Sequence, residues 1–307
     1  MSPIDFRTPL AGLNLRNPLI TSSGTYGFGD EYKDYCPVEA LGAITVKGIT
    51  PEPRLGNPLP RITETPAGML NAVGLENPGL EEFLRSYVPR LQKLSTAVIV
   101  NISGFSVEDY VLMASSIRCD SGMAALEVNI SCPNIKHGGM HFGTDPRSAE
   151  QVIAAVKRKT DLPVIAKLSP NVTDIAEMAR AAAAGGADAV SLINTLLGMS
   201  IDIDKRSPAI ANTYGGLSGP AIRPVAVRMV WQVAQAVKIP IIGMGGIITW
   251  QDAVEFLLAG ATAISIGTGN FINPRAPLDI LAGIGQYCRK HGFKSSRDLV
   301  GLAQMRR

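Results

Sequence analysis

The chain has 307 residues, of which 46% are hydrophobic and 18% are charged, and its formal net charge is +3. This length is ample for a large hydrophobic core, and one α/β barrel takes roughly 250 residues. The small net charge and the lack of a basic run argue against nucleic acid or an acidic membrane surface as a partner.

The N-terminus and the cysteines predict a cytoplasmic protein. Residues 1–6 carry neither a basic start nor an apolar stretch, so no signal peptide is expected. The longest uncharged apolar run, Ile239–Ile248, is shorter than the roughly 18 residues that a membrane helix needs. The cysteines form no C-x-x-C pair and the histidines lack metal spacing, so we expect neither a disulfide framework nor a metal site or iron–sulfur cluster in this chain. The four cysteines are Cys36, Cys119, Cys132 and Cys288.

Short β-branched runs recur with helical segments between them, which indicates parallel βα units. Eight such units predict a (β/α)8 barrel that forms a single domain over residues 1–307. The expected strands are Pro18–Ser22, Ala43–Lys47, Ala97–Ile102, Ala124–Ile130, Pro163–Leu168, Ala187–Ile193, Pro240–Met244 and Ala261–Ile266.

Helical spacing of apolar residues predicts five of the intervening helices, several of which begin with a capping residue or an early proline. These helices are Val107–Cys119, Pro146–Thr160, Ile175–Ala184, Pro220–Val237 and Trp250–Ala259. The expected starts are Ser106, Asp145-Pro146, Thr173, Gly219-Pro220 and Thr249.

Several stretches are surplus to a minimal barrel. A hairpin-like pattern in Ile4–Leu15 is expected to close the barrel bottom. Long inserted loops are expected after strands 2, 4 and 6, and the first and last of them span Gly48–Gly79 and Thr195–Ser218. Long loops in compact domains are usually functional or disordered, and loops that follow barrel strands lie on the face that carries active sites.

Polar residues or glycines stand at the predicted ends of all eight strands. Unpaired lysine and asparagine are costly at a buried barrel rim, so together they indicate a binding site. They are Ser23, Lys47, Asn101, Asn129, Lys167, Asn194, Gly245-Gly246 and Gly267-Thr268.

The two glycine motifs admit two interpretations. Glycines after strands seven and eight let backbone N–H groups approach a phosphate, which is a common barrel arrangement. They also suit two tight βα turns with no ligand.

Each of the two strand-end lysines, Lys47 and Lys167, has three interpretations: a surface lysine, a Schiff-base amine, or a fixed cation that faces an anionic ring. Both follow apolar residues, so their stems are expected to be buried, and a buried ammonium needs a nearby anion.

Cys132 lies in the motif Asn129-Ile130-Ser131-Cys132-Pro133-Asn134, where a strand opens into a glycine-rich loop. A thiol at this place is either an inert core residue or a group that carries chemistry. Three asparagines in or near the expected mouth, Asn71, Asn129 and Asn194, either hold turns or, with Thr195, supply the donors and acceptors that a planar heterocycle needs.

These motifs together resemble the dihydroorotate dehydrogenases, and within that family the class 1B catalytic subunits. The resemblance runs from about Leu10 to about Ala303. It rests on the Cys132 motif with Thr45–Thr50, Asn71–Gly79 and Gly215–Gly219, while Pro53–Pro58 with Pro60-Arg61 favours class 1B over class 1A. Cysteine at position 132 and the lack of an amphipathic N-terminal extension argue against class 2.

The resemblance implies a flavin mononucleotide (FMN) at the barrel mouth with dihydroorotate stacked on its ring. The positions that match FMN-binding residues of the family are Ser23, Lys47, Gly48, Asn101, Asn129, Lys167, Ile193, Gly219, Gly245, Gly246, Gly267 and Thr268. Those that match pyrimidine-binding residues are Lys47, Asn71, Ala72, Val73, Gly74, Leu75, Asn129, Asn194 and Thr195.

The implied reaction oxidises dihydroorotate to orotate in pyrimidine biosynthesis. Cys132 would be the base that removes the C5 proton, and the hydride would pass from C6 to flavin N5. Lys167 would stabilise the negative charge of the reduced flavin, and Lys47 would offset the charge of the substrate carboxylate or ring oxygens.

The class 1B resemblance also implies an electron-transfer subunit with FAD and a [2Fe–2S] cluster, NAD⁺ as final acceptor, and a catalytic homodimer within a heterotetramer. One alternative is a self-sufficient class 1A enzyme that uses fumarate. Two others are a Schiff-base aldolase that uses Lys47 or Lys167, and a barrel without activity that serves as an assembly subunit.

Overall fold

The computed structural model describes residues 3–131 and 142–306. Cys132 therefore lies outside the described residues, as does most of the loop expected after the fourth barrel strand. None of the helices in the described ranges is long and apolar enough to cross a membrane.

The strands within these ranges include eight that form a parallel barrel and eight short ones outside it. In chain order they are β1 (Thr8–Leu10), β2 (Leu13–Leu15), β3 (Leu19–Thr21), β4 (Ala43–Ile49), β5 (Ile62–Thr65), β6 (Gly68–Asn71), β7 (Ala97–Ile102), β8 (Ala125–Asn129), β9 (Val164–Lys167), β10 (Ala189–Leu192), β11 (Leu196–Met199), β12 (Ile201–Asp202), β13 (Ser207–Pro208), β14 (Tyr214–Ser218), β15 (Ile241–Met244) and β16 (Ala263–Ile266).

The α-helices of the described chain are α1 (Leu80–Glu82), α2 (Val88–Leu91), α3 (Val107–Ser116), α4 (Pro146–Lys157), α5 (Ile175–Ala184), α6 (Arg223–Ala236), α7 (Trp250–Ala259), α8 (Gly269–Ile272) and α9 (Ala276–His291). A π-helical segment, Phe83–Tyr87, joins α1 to α2.

The barrel closes in the order β3-β4-β7-β8-β9-β10-β15-β16, and β16 pairs with β3 to complete the ring. The predicted (β/α)8 fold is confirmed, and seven of the eight strands lie within their expected ranges. Strand β4 instead continues to Ile49, two residues beyond Lys47, with a register irregularity between Val46 and Ile49. Lys47 is therefore not the last residue of the strand, and Gly48 lies inside the strand rather than after it.

Helix starts follow the capping signals except at α5 and α6. Helix α6 begins at Arg223 rather than at Pro220, after a 3-10 turn over Pro220–Ile222. Ser106 and Thr249 cap α3 and α7 through capping boxes, and Asp145 caps α4. Helix α5 is capped by Asp174 and not by Thr173, because the Asp174 carboxylate accepts hydrogen bonds from the N–H groups of Ala176 and Glu177.

The barrel interior is apolar at the amino ends of the strands. Buried side chains from all eight barrel strands form one cluster there with Leu10 and Leu15 of the N-terminal hairpin, in which β1 pairs with β2. The predicted closure of the barrel bottom by this hairpin is therefore confirmed. A second, larger cluster lies between the barrel and its helices.

The insertions after β4 and β10 are not the expected loops. They supply β5, β6, β11 and β14, which pair as one four-stranded sheet in the order β11-β14-β6-β5, here called the insertion sheet. Asn71 of β6 pairs with Gly216 of β14. The sheet thus gives hydrogen-bond partners to backbone groups of both insertions.

Candidate active site

Polar side chains from neighbouring strands converge inside the carboxyl end of the barrel. The register pairs Asn101 with Glu127 and Asn129 with Lys167. Because paired residues of parallel strands project to the same face, all four side chains point to the barrel axis. The apolar amino end thus gives way to a polar layer at the mouth.

The centre of this layer is a buried ion pair. The ammonium of Lys167 lies 3.1 Å from the carboxylate of Glu127, and the two side chains are only 5% and 3% exposed. Lys167 also donates to the Ser23 hydroxyl at 3.1 Å, and the Asn101 amide donates to Glu127 at 3.0 Å. This burial rules out the interpretation of Lys167 as a surface lysine.

Glu127 is a site residue that was not expected from the sequence. The available signal was a charged residue within an apolar strand, two positions before Asn129 and therefore on the same face. A buried ammonium requires an anion, so the burial expected for Lys167 predicts such a partner, but only the register of β8 and β9 identifies it.

Lys47 differs from Lys167. It lies half-buried in β4, and no carboxylate within residues 3–131 and 142–306 forms an ion pair with it. The backbone beside it approaches β7 closely, since a Cβ on Gly48 would lie 2.7 Å from the Asn101 side-chain oxygen. One of the two lysines is thus neutralised within the described chain, and the other can receive an anionic group.

Three strand ends are joined by amide and hydroxyl groups. The Asn129 amide donates to the Ser103 hydroxyl at 3.1 Å, and the Ser131 hydroxyl donates to the Asn129 oxygen at 2.6 Å. Asn194 donates to the Ser131 hydroxyl. Asn129 and Asn194, which are 65 residues apart, therefore form one hydrogen-bonded group at the strand end that leads to Cys132.

The insertion sheet brings Asn71 towards the same group. The Asn71 amide lies 3.4 Å from the Gly216 carbonyl, and a Cβ on Gly216 would lie 2.1 Å from the Thr195 hydroxyl. Thr195 follows Asn194 and donates its N–H to the Asn194 side-chain oxygen at 2.9 Å. Asn71, Asn194 and Thr195 are thus connected through β14.

Ala72, Val73, Gly74 and Leu75 are held by their own insertion rather than by barrel strands. Ala72 N–H donates to the Arg61 carbonyl at 2.8 Å, and the Val73 carbonyl accepts from Asn57 N–H at 2.9 Å. Buried Asn77 fixes the end of this segment to Thr50, directly after β4, because its amide donates to the Thr50 hydroxyl at 2.8 Å. Asn77, like Glu127, is a residue near the site that the sequence alone did not single out.

The glycines after β15 form a tight turn against the residues before α6. Gly246 has φ +77°, and a Cβ there would lie 2.8 Å from both the Gly219 carbonyl oxygen and the Arg223 Cβ. A Cβ on Gly245 would lie 3.2 Å from the Ile193 side chain. Only glycine fits this backbone path, which places Ile193, Gly219, Gly245 and Gly246 together.

The turn after β16 is adjacent. Thr268 donates its hydroxyl to Ser218 at 2.8 Å, and a Cβ on Gly267 would lie 3.4 Å from the Ser22 hydroxyl. A Cβ on Gly219 would lie 3.6 Å from the Thr268 methyl group. Gly219, Gly267 and Thr268 therefore belong to one glycine-lined region beside the polar layer.

Of the other cysteines, Cys36 and Cys288 are buried and Cys119 is exposed. Burial raises the pKa of the Cys36 and Cys288 thiols. A raised pKa disfavours the reactive thiolate, so neither thiol is suited to act as a base.

Comparison with known proteins identifies the family. A model of the dihydroorotate dehydrogenase family matches residues 6–287. The chain is 56% identical over 294 residues to "Dihydroorotate dehydrogenase B (NAD(+)), catalytic subunit" of Desulforudis audaxviator, with 96% of each chain covered. It is 53% identical to the protein of the same name from Geobacter sulfurreducens, with 99% of this chain and all of that protein covered.

A solved structure agrees with the fold. The crystal structure of DHODH in complex with ferulenol from Eimeria tenella matches with a TM-score of 0.82, covering 99% of this chain and 89% of that chain. At 21% identity, this likeness supports the barrel architecture alone. The family match over residues 6–287 and the relatives at more than half identity place the chain in the dihydroorotate dehydrogenase family.

Proposed function

We propose that this chain oxidises dihydroorotate to orotate in pyrimidine synthesis, as the catalytic subunit of an NAD⁺-linked enzyme and as one domain over residues 1–307. The observation that carries the proposal is the junction of Asn71, Asn129, Asn194 and Thr195 near Lys47 at one barrel mouth. Amides read both C=O and N–H edges of a planar ring, and Lys47 supplies the cation that a carboxylate needs.

The glycine-lined region and the polar layer fit FMN. Glycine turns after the last two barrel strands suit close approach of a phosphate to backbone N–H groups, and the Lys167 ammonium suits the electron-rich edge of an isoalloxazine ring. The proposed FMN-binding residues are Ser23, Lys47, Gly48, Asn101, Asn129, Lys167, Ile193, Gly219, Gly245, Gly246, Gly267 and Thr268. Bound FMN would accept the hydride that leaves C6 of the substrate.

The proposed substrate site comprises Lys47, Asn71 to Leu75, Asn129, Asn194 and Thr195. Lys47 would bind the carboxylate or a ring oxygen, and the amides would orient the ring. Cys132, which follows the hydrogen-bonded Ser131, would take the C5 proton as general base. Loss of the C5 proton to Cys132 and of the C6 hydride to bound FMN would leave the double bond of orotate.

We further propose a cytoplasmic complex in which a homodimer of this chain binds electron-transfer subunits that carry FAD and a [2Fe–2S] cluster. The relatives' name, a catalytic subunit of an NAD⁺-linked enzyme, supports such a partner. Exposed apolar side chains concentrated in the two insertions also suit contact with other chains. They are Leu55, Leu59, Ile62, Leu197, Met199, Ile201, Ile203 and Tyr214.

A visible spectrum of the purified chain tests the proposal. We expect a flavin spectrum that bleaches when dihydroorotate is added without oxygen, because the substrate then delivers two electrons to the cofactor. A flavin spectrum that does not bleach would contradict the assignment of dihydroorotate as substrate. A chain that binds no flavin after reconstitution would contradict the whole proposal.

The electron acceptor is tested separately. We expect turnover with NAD⁺ only when the electron-transfer subunit is present, and little turnover of the single chain with fumarate. Rapid fumarate reduction by the single chain would instead identify a self-sufficient class 1A enzyme.

A further inference from the structure

Glu127 is a buried carboxylate that accepts a hydrogen bond from one amide and forms an ion pair with one lysine. It lies in the middle of β8, and the strands on either side supply its partners: Asn101 from β7 at 3.0 Å and Lys167 from β9 at 3.1 Å. The parallel register fixes all three positions. Because both members of the pair are almost fully buried, their attraction is screened far less than that of a surface pair.

The Lys167 ammonium is held from two sides. Glu127 binds it from the adjacent strand, and Ser23 accepts from it at 3.1 Å from the segment after β3. An ammonium has three donors, so these two contacts fix its position and leave one donor for a further group. The electrostatic field at a group bound by the third donor depends on Glu127, since a carboxylate so close to the ammonium offsets much of its field.

We infer that Glu127 is a positioning residue that fixes the Lys167 ammonium, partly neutralises it, and thereby lowers the midpoint potential of the bound flavin. The inference rests on the proposed function, in which Lys167 contacts FMN. Reduction places negative charge on the flavin, and a cation beside it favours that charge. A carboxylate behind the cation weakens this effect, so Glu127 limits how readily the flavin accepts electrons.

The test is the midpoint potential of flavin bound to Glu127→Gln, measured by equilibration with a reference dye. Glutamine keeps the shape and can still accept from Asn101, but it removes the negative charge. We expect at least a tenfold rise in the ratio of reduced to oxidised flavin at a fixed solution potential, or about 30 mV for a two-electron couple. An unchanged or lower potential would overturn the inference.

Two further variants separate a charge effect from a general structural one. Glu127→Asp keeps the charge, so its potential should return towards that of the wild type. The double variant Lys167→Gln/Glu127→Gln leaves no buried charge unpaired, which keeps the test available if Glu127→Gln alone does not fold. Its ratio of reduced to oxidised flavin should differ from that of the wild type less than tenfold, because Glu127 already offsets much of the lysine field, and a tenfold or larger fall would contradict that neutralisation.

Asp188→Asn is the matched control. It removes another lysine–carboxylate ion pair, with Lys157 at 2.5 Å, just before β10 and away from the mouth. Its flavin potential should equal that of the wild type, and a similar rise there would overturn the assignment to Glu127. A wild-type chain that binds no FMN or is not bleached by dihydroorotate would overturn the proposed function itself, whereas failure of the variants alone overturns only the inference.

Discussion

Replacing Cys132 by alanine is expected to lower turnover by about 10²–10⁴-fold while bound FMN is retained, because the substitution removes the proposed base and leaves the cofactor site intact. The residues proposed to hold FMN come from the polar layer and the glycine turns, which do not depend on the thiol. Flavin content can be read from absorbance, and the rate of anaerobic bleaching by dihydroorotate gives the step in which the C5 proton is lost.

Two further variants test whether the effect of Cys132→Ala is specific to the thiol at this position. Cys119→Ala removes an exposed cysteine and should leave both flavin content and bleaching rate unchanged. Cys132→Ser, which retains a weaker oxygen base, should lie between wild type and alanine. Near-normal bleaching by Cys132→Ala would remove this thiol from the mechanism, and loss of FMN would assign it to the cofactor site.

Gly246→Ala is expected to weaken FMN binding by about 100-fold, which corresponds to about 2.7 kcal/mol. The added Cβ would lie 2.8 Å from the Gly219 carbonyl oxygen, and one of these two backbone segments must move. Both segments belong to the proposed phosphate site, so the movement should raise the dissociation constant of FMN. Fluorescence titration of the apoprotein with FMN measures it.

Gly292→Ala provides a control with the same backbone strain. Gly292 has φ +77°, as Gly246 has, but nothing lies within 4 Å of a Cβ placed there. The left-handed conformation should cost both variants a similar amount of stability, of the order of 1 kcal/mol, and the clash with Gly219 and Arg223 should add to that cost in Gly246→Ala alone. Only Gly246→Ala should lose FMN affinity, and equal affinity in the two variants would exclude the Gly246 turn from the cofactor site.

The barrel could be predicted because its signals are local. Each strand is a short apolar run that ends in polar or glycine residues, and the caps Ser106 and Thr249 lie directly before their helices. The strand-end rule also identified Lys167 and Asn129, since the carboxyl ends of parallel strands meet at one edge.

Features that depend on distant pairing could not be predicted. The strands β5 and β6, and likewise β11 and β14, pair within their own insertions, but the pairing of β6 with β14 that joins the insertions into one sheet spans more than 140 positions. Glu127 is visible in the sequence only as a charge in an apolar run, and its role follows from neighbours on two other strands. The end of β4 was misjudged because its last residues pair with β7 across a register irregularity.

The pairing of β6 with β14 in the insertion sheet affects the order in which parts of the chain fold. Asn71 meets Gly216 only when 145 residues of chain close the loop between them, and contacts across such distances form late in folding. A nascent chain that ends before β14 can pair the first strands of the barrel, yet it lacks the strand that joins Asn71 to Thr195. We therefore expect the substrate site to be among the last parts of the protein to form, and a chain that ends before β14 not to bind the substrate.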